Sequence, residues 1–368
     1  MPDAGADRAY MAKALVLAER GRGRTSPNPM VGAVIVDEDG VIVGRGAHEF
    51  AGGPHAEVHA LAAAGARARG ATLYCTLEPC SPYTSKRTAP CAPAVAAAGI
   101  RRAVVAVEDP NPNVRGRGLD YLREHGVELT VGVEREAAER LNRGFFSVKR
   151  RGRPFVTMKA ALSRDGKVAA ARGTRTAITS AVANDLIHRE RAEIDAIAIG
   201  SGTVLTDDPV LTARVAYRQR PLTRVIFDRR LRTPLSAAIL KTLEQGPVIV
   251  VTRADDPDAQ FRAEALQKAG AIVERIDGDD DAFLESALVR LAAHDATTLV
   301  VEGGPTLHDA FWRRGLVDRV QLYMAPLDLG VDAVDWMMPA QHVVDDLDDV
   351  RTLTVGPDVL IEGIVRRD

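Results

Sequence analysis

The sequence predicts an α/β protein of two domains, and three observations support that fold class. The chain has 368 residues, a length typical of two domains. Strand-like apolar runs alternate with helix-like segments along most of it. A basic stretch broken by glycine and proline, residues 143–154, interrupts the alternation and is predicted to be a linker. We therefore predict one domain over residues 1–146 and a second over 147–368, each long enough to bury its own core.

The first domain is predicted to open with a helix and a hairpin. Residues 7–20 place apolar side chains at helical spacing, and the turn at 37–40 separates two apolar runs. Helices are predicted over residues 7–20, 55–68, 91–98 and 134–141. Strands are predicted over residues 30–36, 41–44, 71–77, 102–107 and 127–131.

The second domain is predicted to repeat the alternation with longer helices, as expected for a sheet with helical crossovers. Its predicted strands cover residues 155–161, 196–199, 223–228, 247–252, 271–276, 298–301 and 319–324. Its predicted helices cover residues 181–191, 258–269, 282–293 and 306–314.

Composition and charge exclude several classes of function. Hydrophobic residues make up 46% and charged residues 27% of the chain, which is typical of a globular protein, and the net charge of −2 gives no bulk attraction to nucleic acid or anionic membrane. The sequence predicts no transmembrane helix, and residues 1–7 do not have the basic-then-apolar pattern expected of a signal peptide. The chain has three cysteines, Cys75, Cys80 and Cys91, which are too few to stabilise a chain of this length by disulfide bonds. We therefore expect a cytoplasmic protein whose cysteines bind metal or do chemistry.

The strongest chemical signal is a candidate zinc site in the first domain. His55, Cys80 and Cys91 offer one imidazole and two thiolates, which suit tetrahedral Zn2+ with one position open for water. Glu57 follows His55 by two residues at the start of a predicted helix. From there its carboxylate can take a proton from the water and pass it to a leaving amine. This pattern is typical of zinc nucleobase deaminases.

Some alternatives for the zinc ligands remain open on sequence alone. Ten residues separate Cys80 from Cys91, whereas two separate the cysteines in the usual pattern. His48 or His59 could replace His55, although the offset to Glu57 favours His55. Cys75 lies within a predicted strand and is expected to be a core residue.

Two turns of the second domain suit a dinucleotide phosphate. Residues 302–306 form a Gly-Gly turn between a predicted strand and a predicted helix, and the Gly-rich loop at 200–203 also follows a strand. Backbone N–H groups at a helix start bind phosphate, and glycines permit close approach. The chain lacks a Gly-x-Gly-x-x-Gly fingerprint, which disfavours a Rossmann fold.

The chain closely resembles the bifunctional deaminase–reductases of riboflavin biosynthesis. The matching motifs run in order along nearly its whole length: Ser26-Pro27-Asn28-Pro29, His55-Ala56-Glu57, Glu78-Pro79-Cys80, Asp109-Pro110-Asn111-Pro112, Asp165-Gly166-Lys167, Gly202-Thr203-Val204-Leu205 and Glu302-Gly303-Gly304-Pro305-Thr306. The resemblance implies a cytidine-deaminase-like three-layer domain followed by a dihydrofolate-reductase-like domain. It also implies deamination of 2,5-diamino-6-(ribosylamino)-4(3H)-pyrimidinone 5′-phosphate, and then reduction of the ribosyl chain by NADPH.

The resemblance further implies which residues contact the ligands. The deaminase substrate would meet Asn28, Arg87, Asp109 and Asn111. NADPH would meet Ala161, Thr203, Asp207, Gly303, Gly304, Pro305 and Thr306. The reductase substrate would meet Arg191, Leu211, Arg214 and Glu302. The implied partners are a small pyrimidine ribosyl phosphate and further copies of the same chain, with no nucleic acid and no membrane.

The sequence departs from the family pattern at four further positions. Pro82 replaces a histidine, Arg175 a serine, Ala177 a tryptophan and Leu327 a lysine. Two interpretations of the changes in the second domain remain open. In the first interpretation, Arg175 takes over a contact with a phosphate group. In the second, the reductase half has changed its substrate or lost its activity.

Three other functions are alternatives to the bifunctional enzyme. A monofunctional deaminase would use its second domain only for ligand binding or assembly, and it would leave NADPH untouched. A nucleic-acid deaminase shares the zinc motif, but the near-neutral charge and the motifs of the second domain argue against it. A non-catalytic binding module would not need Glu57.

Overall fold

The computed structural model describes residues 4–81, 89–214, 220–253, 259–279 and 282–367. It divides into two compact units, Met1–Gly152 and Arg153–Asp368. The predicted linker is wrong over most of its length, because Arg143–Arg151 is a helix that buries Phe145 and Phe146 in the core of the first unit. Its last-turn basic residues are exposed, and Lys149 and Arg150 lie over the rings of Phe145 and Phe146, at 5.7 and 4.6 Å from the ring centres. The first unit therefore ends at Gly152 rather than at residue 146, after a left-handed helix-capping glycine.

The first unit is built on a five-stranded sheet of order β2-β1-β3-β4-β5. Strand β1 is antiparallel to both of its neighbours, whereas β3, β4 and β5 are parallel. The strands are β1 Gly32–Val36, β2 Ile42–Ala47, β3 Thr72–Cys75, β4 Arg102–Val105 and β5 Glu128–Val131. The helices are α1 Ala4–Ala18, α2 Ala56–Ala64, α3 Cys91–Ala97, α4 Arg117–Glu124, α5 Arg135–Leu141 and α6 Arg143–Arg151, with short 3-10 turns at Glu19–Gly21 and Gly65–Ala68.

Two glycines in β2 set the position of helix α2. A Cβ atom at Gly46 would lie 2.0 Å from the Ala56 carbonyl oxygen, and one at Gly44 would lie 2.2 Å from that of Ala60. Only glycine therefore allows α2 to pack this closely on the strand. This contact fixes the first turn of α2, where Glu57 lies.

The second unit contains a nine-stranded sheet of order β11-β10-β9-β8-β12-β6-β13-β16-β15. All pairs are parallel from β11 to β13, and β16 and β15 then add antiparallel strands at one edge. The strands are β6 Phe155–Ser163, β7 Lys167–Ala169, β8 Ala196–Gly200, β9 Thr223–Phe227, β10 Val248–Arg253, β11 Ile272–Ile276, β12 Thr298–Val301, β13 Arg319–Ala325, β14 Val334–Asp335, β15 Leu347–Val355 and β16 Asp358–Val365. The helices are α7 Ala181–Arg191, α8 Ser201–Asp207, α9 Ala259–Lys268, α10 Phe283–Ala293, α11 Pro305–Arg313 and α12 Ala340–Asp345, with a 3-10 segment at Ala238–Gln245.

Every predicted strand and helix is present, but several elements were not predicted. These are α4, α6, α8, α12, the 3-10 segment Ala238–Gln245, the small β7–β14 pair and the hairpin of β15 and β16. Strand β15 is exposed over all its inner positions because it is an edge strand, so its sequence lacks the apolar alternation that reveals a half-buried strand. The Gly-rich loop predicted at 200–203 is instead the start of helix α8.

None of the described helices combines the length and the apolar character needed to cross a lipid bilayer.

Candidate active sites

The three predicted zinc ligands lie together in the first unit. His55 is the capping residue before α2, Cys80 lies in the turn after β3, and Cys91 is the first residue of α3. The His55 Nδ1 atom lies 3.5 Å from Cys80 Sγ and 3.2 Å from Cys91 Sγ. A tetrahedral zinc with ordinary bond lengths would hold such nitrogen and sulfur atoms about 3.5 Å apart. The donor set and its spacing therefore fit Zn2+.

The long spacer between the two cysteines does not separate them. The backbone N–H of Cys91 donates to the Cys80 carbonyl oxygen at 3.0 Å and also points at Cys80 Sγ at 3.4 Å. The two cysteines are therefore adjacent in space despite the ten residues between them. Pro82 and Arg87 belong to residues 82–88, which lie outside the described residues.

The other histidines and the third cysteine have different surroundings. Among the described residues, the metal-ligand cluster contains His55 but neither His48 nor His59. The Nδ1 atom of His48 lies 3.0 Å from the Pro54 carbonyl oxygen, and its ring packs edge-on against His55. Cys75 is fully buried in β3 among apolar residues, as predicted.

Glu57 is a buried carboxyl group next to the metal ligands. It lies in the first turn of α2 and is 3% exposed. Burial raises its pKa to about 7, and the neighbouring Cys80 sulfur adds to this rise. A carboxyl group with a pKa in this range can both accept and return a proton near neutral pH. The helix therefore presents an acid–base group beside the cluster without making it a ligand.

The predicted substrate residues of the first unit lie on two loops. The Asn28 side-chain amide is 3.4 Å from His48 Nε2, which connects it through the His48 ring to His55. The Asp109 carboxylate is buried and accepts a hydrogen bond from the Asn111 backbone N–H at 2.8 Å. Burial raises the pKa of Asp109 to about 6.

Sequence reasoning missed two buried side chains that hold these loops. Asn142 makes a pair of 2.8 Å hydrogen bonds with the backbone N–H and carbonyl of Met30, next to the Asn28 loop. The carboxylate of Glu78 accepts hydrogen bonds from the Asp109 loop. Glu78 belongs to the Glu-Pro-Cys motif. Its hydrogen-bond partners are more than thirty residues away in the sequence, so no local pattern indicates them.

The second unit contains a large cavity at the predicted cofactor residues. Its volume is about 1630 Å3. Its lining includes every residue predicted to contact NADPH: Ala161, Thr203, Asp207, Gly303, Gly304, Pro305 and Thr306. Helix α11 starts here, with Gly304 as its capping residue and Pro305 in its first turn. Helix starts of this kind present N–H groups to phosphate, so the residues present fit a dinucleotide.

A buried histidine supports the Gly-Gly turn of this cavity. The indole N–H of Trp336 donates to Nδ1 of His308 at 2.9 Å. The His308 Nε2 atom lies 3.1 Å from both the Gly303 backbone nitrogen and the Val301 carbonyl oxygen, so the ring contacts the turn and the strand before it. Burial lowers the pKa of His308 to about 4, which keeps the ring neutral.

The predicted reductase-substrate residues gather around Glu302. Arg191 donates from Nη2 and Nε to the two carboxylate oxygens of Glu302, at 2.7 and 3.2 Å. The ammonium group of Lys159, which sequence reasoning missed, lies 4.0 Å from the same carboxylate. Burial opposes ionisation of Glu302, but the charges of Lys159 and Arg191 outweigh it and hold its pKa at about 2.

The segment from Leu211 to Arg214 is tied to helix α7. The Thr212 carbonyl oxygen lies 3.1 Å from His188 Nδ1 and accepts a weak hydrogen bond from Arg191 at 3.5 Å. Leu211 has a φ of 57°, an unfavourable conformation for a leucine, and its side chain is buried. The structure therefore brings Arg191, Glu302 and this segment together.

The positions that depart from the family pattern lie in different places. Arg175 and Ala177 line the cavity, and both are exposed. Burial raises the pKa of Asp207, and the charge of Arg175 opposes that rise, so the two residues are neighbours. Leu327 accepts a backbone hydrogen bond from Arg164 at 2.8 Å.

Both units match known protein families. Residues 5–107 match the zinc-binding region of cytidine and deoxycytidylate deaminases, and residues 154–361 match the RibD C-terminal domain. The chain is 43% identical to the riboflavin biosynthesis protein RibD of Aquifex aeolicus over 324 residues, which is 88% of each chain. It is 39% identical to RibD of Bacillus amyloliquefaciens over 361 residues, or 96% of this chain and 95% of the relative.

Solved structures agree with this similarity over both units. Acinetobacter baumannii RibD is 35% identical, with a TM-score of 0.85 over 99% of this chain and all of the other. A diaminohydroxyphosphoribosylaminopyrimidine deaminase/5-amino-6-(5-phosphoribosylamino)uracil reductase from Thermotoga maritima is 30% identical, with a TM-score of 0.82 over 99% of both chains. The predicted cytidine-deaminase-like and dihydrofolate-reductase-like folds are confirmed by these matches.

Proposed function

The chain belongs to the RibD family of riboflavin-biosynthesis enzymes, and we propose that its two units divide the two reactions of that family between them. It is a bifunctional deaminase and reductase that uses zinc and NADPH. The alternative of a deaminase with a non-reducing second domain is not favoured, because residues 154–361 match the RibD C-terminal domain. We assign deamination to the unit ending at Gly152 and reduction to Arg153–Asp368.

In the first unit, we assign the acid–base chemistry of deamination to Glu57. His55, Cys80 and Cys91 would hold zinc, which supplies an activated water when it is bound. The Glu57 carboxylate takes a proton from that water and delivers it to the departing amine of the pyrimidine. One group performs both transfers because it is buried beside the ligands and has a pKa near neutrality.

The deaminase substrate is assigned to the loops that border the metal cluster. Asn28, Asp109 and Asn111 offer amide and carboxylate groups to the pyrimidine ring, and Arg87 offers a cation to the phosphate. The positions of the first three support this assignment. Asn28 contacts His48, whose ring packs against His55, and Asp109 is buried near Cys80. Asn111 donates its backbone N–H to the Asp109 carboxylate at 2.8 Å.

In the second unit, we assign NADPH to the cavity and the ribosyl substrate to the group around Glu302. Ala161, Thr203, Asp207 and the turn 303–306 would hold the cofactor, which supplies a hydride when it is bound. Arg191, Leu211, Arg214 and Glu302 would hold the substrate. Glu302 is ionised and held by Arg191, so its oxygens accept hydrogen bonds from sugar hydroxyls in a fixed direction.

The observation that carries the proposal is the His55–Cys80–Cys91 cluster with buried Glu57 beside it. The direct test incubates zinc-loaded protein with the diamino-pyrimidinone ribosyl phosphate, with and without NADPH. We expect mass analysis to show loss of the amino group in both cases, and oxidation of NADPH where it is supplied. Deamination without NADPH oxidation would instead mean that Arg175, Ala177 and Leu327 mark a second unit that has lost reduction.

Replacing Cys80 by serine should remove zinc and deamination together. The weaker hydroxyl ligand leaves only two strong donors, because a serine is not deprotonated as a cysteine thiol is. The measurement is zinc content per chain alongside the rate of deamination. The matched control is Cys75→Ala, which changes a buried cysteine outside the cluster and should keep its zinc. Full zinc occupancy in the Cys80→Ser protein would remove Cys80 from the ligand set.

The proposal also covers the oligomeric state and the cellular location. We propose a homo-oligomer, as the family resemblance implies, and sedimentation at several protein concentrations tests it. We also propose a cytoplasmic location, because two of the three cysteines belong to the metal cluster rather than to a disulfide.

A further inference from the structure

Glu78 is a buried carboxylate that accepts hydrogen bonds from four backbone N–H groups. Its Oε2 atom receives those of Asp109 and Gly116, at 3.1 and 3.0 Å. Its Oε1 atom receives those of Gly118 and Leu119, at 2.9 and 3.4 Å. The residue is 3% exposed, and no cation in the described parts of the chain forms an ion pair with it.

These four hydrogen bonds attach both ends of one loop, residues 109–116, to the side chain of Glu78. Asp109 lies at the start of the loop, and Gly116 caps helix α4 at its end. Gly118 and Leu119 belong to the first turn of α4, where N–H groups have no partner within the helix. An acidic side chain is also favoured there by the helix dipole.

The same residue is joined to the metal ligands through the backbone. Glu78 precedes Cys80 by two residues, and its own N–H donates to the Val107 carbonyl oxygen at 3.0 Å. Gly118 permits the close approach, since a Cβ atom there would lie 1.9 Å from the Pro79 carbonyl oxygen. Glu78 therefore connects the turn that contains Cys80 to the loop from Asp109 to Gly116.

A purely structural role explains these contacts poorly. Burying a carboxylate without a cation is costly, and burial does raise the pKa of Glu78 although the four amides oppose that rise. An apolar contact would anchor a loop at lower cost. The four hydrogen bonds instead fix the orientation of the loop backbone, because each amide N–H must point at one carboxylate oxygen of Glu78.

We propose that Glu78 is a positioning residue for deamination, which holds Asp109 and Asn111 at a fixed distance from the metal ligands. The inference rests on the proposed contact of Asp109 and Asn111 with the deaminase substrate. Glu78 acts through the backbone and does not touch the reacting atoms.

The test is Glu78→Gln in the full-length, zinc-loaded protein. Glutamine keeps the volume but turns an NH2 group towards two of the four N–H donors, so either the Asp109 and Gly116 bonds or the Gly118 and Leu119 bonds are lost. We expect kcat/KM for deamination to fall about 100-fold, mostly through KM, since a displacement of about 1 Å can have that effect. Zinc content and the reduction of supplied deaminated substrate should not change.

A second measurement follows the loop itself. Amide hydrogen exchange should become faster in the peptide covering residues 109–119 and stay the same in α2. The control is Glu108→Gln, since Glu108 precedes the same loop but is only half-buried and makes a 3.9 Å contact with the exposed Arg115. If Glu78→Gln fails to fold, Glu78→Asp keeps the charge but is too short to reach both ends of the loop, and it should raise KM in the same way.

Three outcomes would overturn the proposal: an unchanged KM, unchanged exchange over 109–119, or loss of zinc as the main effect of either variant. Asp109→Asn and Asn111→Ala are measured in parallel. If those two leave KM unchanged, the assigned substrate contacts are wrong. If they raise KM while Glu78→Gln does not, only the positioning role of Glu78 fails.

Discussion

Glu57→Gln should abolish deamination while zinc binding and reduction continue. The glutamine amide keeps the shape of the side chain but cannot take a proton from water or return one to the leaving amine. Loss of a general acid–base group lowers a rate by about 10²–10⁴-fold, and this residue serves both transfers, so we expect the upper part of that range. The measurement is release of the amino group under single-turnover conditions, with zinc content determined on the same sample.

The control for this variant is Glu38→Gln, which changes an exposed carboxylate in the turn between β1 and β2. NADPH oxidation on supplied deaminated substrate should be equal in the wild type and both variants. Deamination by Glu57→Gln within tenfold of the wild type would assign the proton transfers to another group. Loss of zinc from this variant would show that Glu57 supports the cluster rather than the chemistry.

The regular elements were predictable because their patterns are local. Strand β8 and helix α7 each carry their signal within a dozen residues, as an apolar run or a helical periodicity. Helix α6 was misread because its basic residues resemble a linker, and only the tertiary packing of Phe145 and Phe146 reveals its apolar face. Strand β15 was missed because an exposed edge strand has no apolar face to reveal it.

The same distinction applies to the sites. His55, Glu57 and the cysteines were found because their residue types and short offsets follow from zinc chemistry. Glu78, Asn142 and Lys159 were missed because each acts on a partner more than thirty residues away, and a single buried polar residue has many uses. The residues that perform the chemistry are therefore easier to predict than those that hold them in place.

The two proposed sites control charge in opposite ways. Burial, together with the neighbouring Cys80, raises the pKa of Glu57 to about 7, which suits a residue that exchanges protons. Glu302 is surrounded by Lys159 and Arg191, which keep it ionised over the whole physiological range. A carboxylate of the second kind binds and orients a substrate rather than carrying its protons.

Glu302→Gln should therefore stop reduction and leave deamination intact. The neutral amide removes the ion pair with Arg191, turns an NH2 group towards a cation and leaves the Lys159 charge buried without its neighbour. We expect kcat/KM for reduction to fall at least about 100-fold, since loss of a buried charged partner has an effect of that order. In the coupled reaction the deaminated intermediate should accumulate, and mass analysis follows it.

NADPH binding separates this interpretation from a general collapse of the cavity. The proposed cofactor contacts are Ala161, Thr203, Asp207 and the turn 303–306 and do not include Glu302, so NADPH fluorescence on binding should give a Kd within a few-fold of the wild type. Glu285→Gln, an exposed change on helix α10, serves as the control and should reduce substrate normally. Normal reduction by Glu302→Gln would exclude Glu302 from substrate binding. A lost NADPH signal would place Glu302 in the cofactor site instead, because the side chain lies on the cavity wall where β12 meets the Gly-Gly turn.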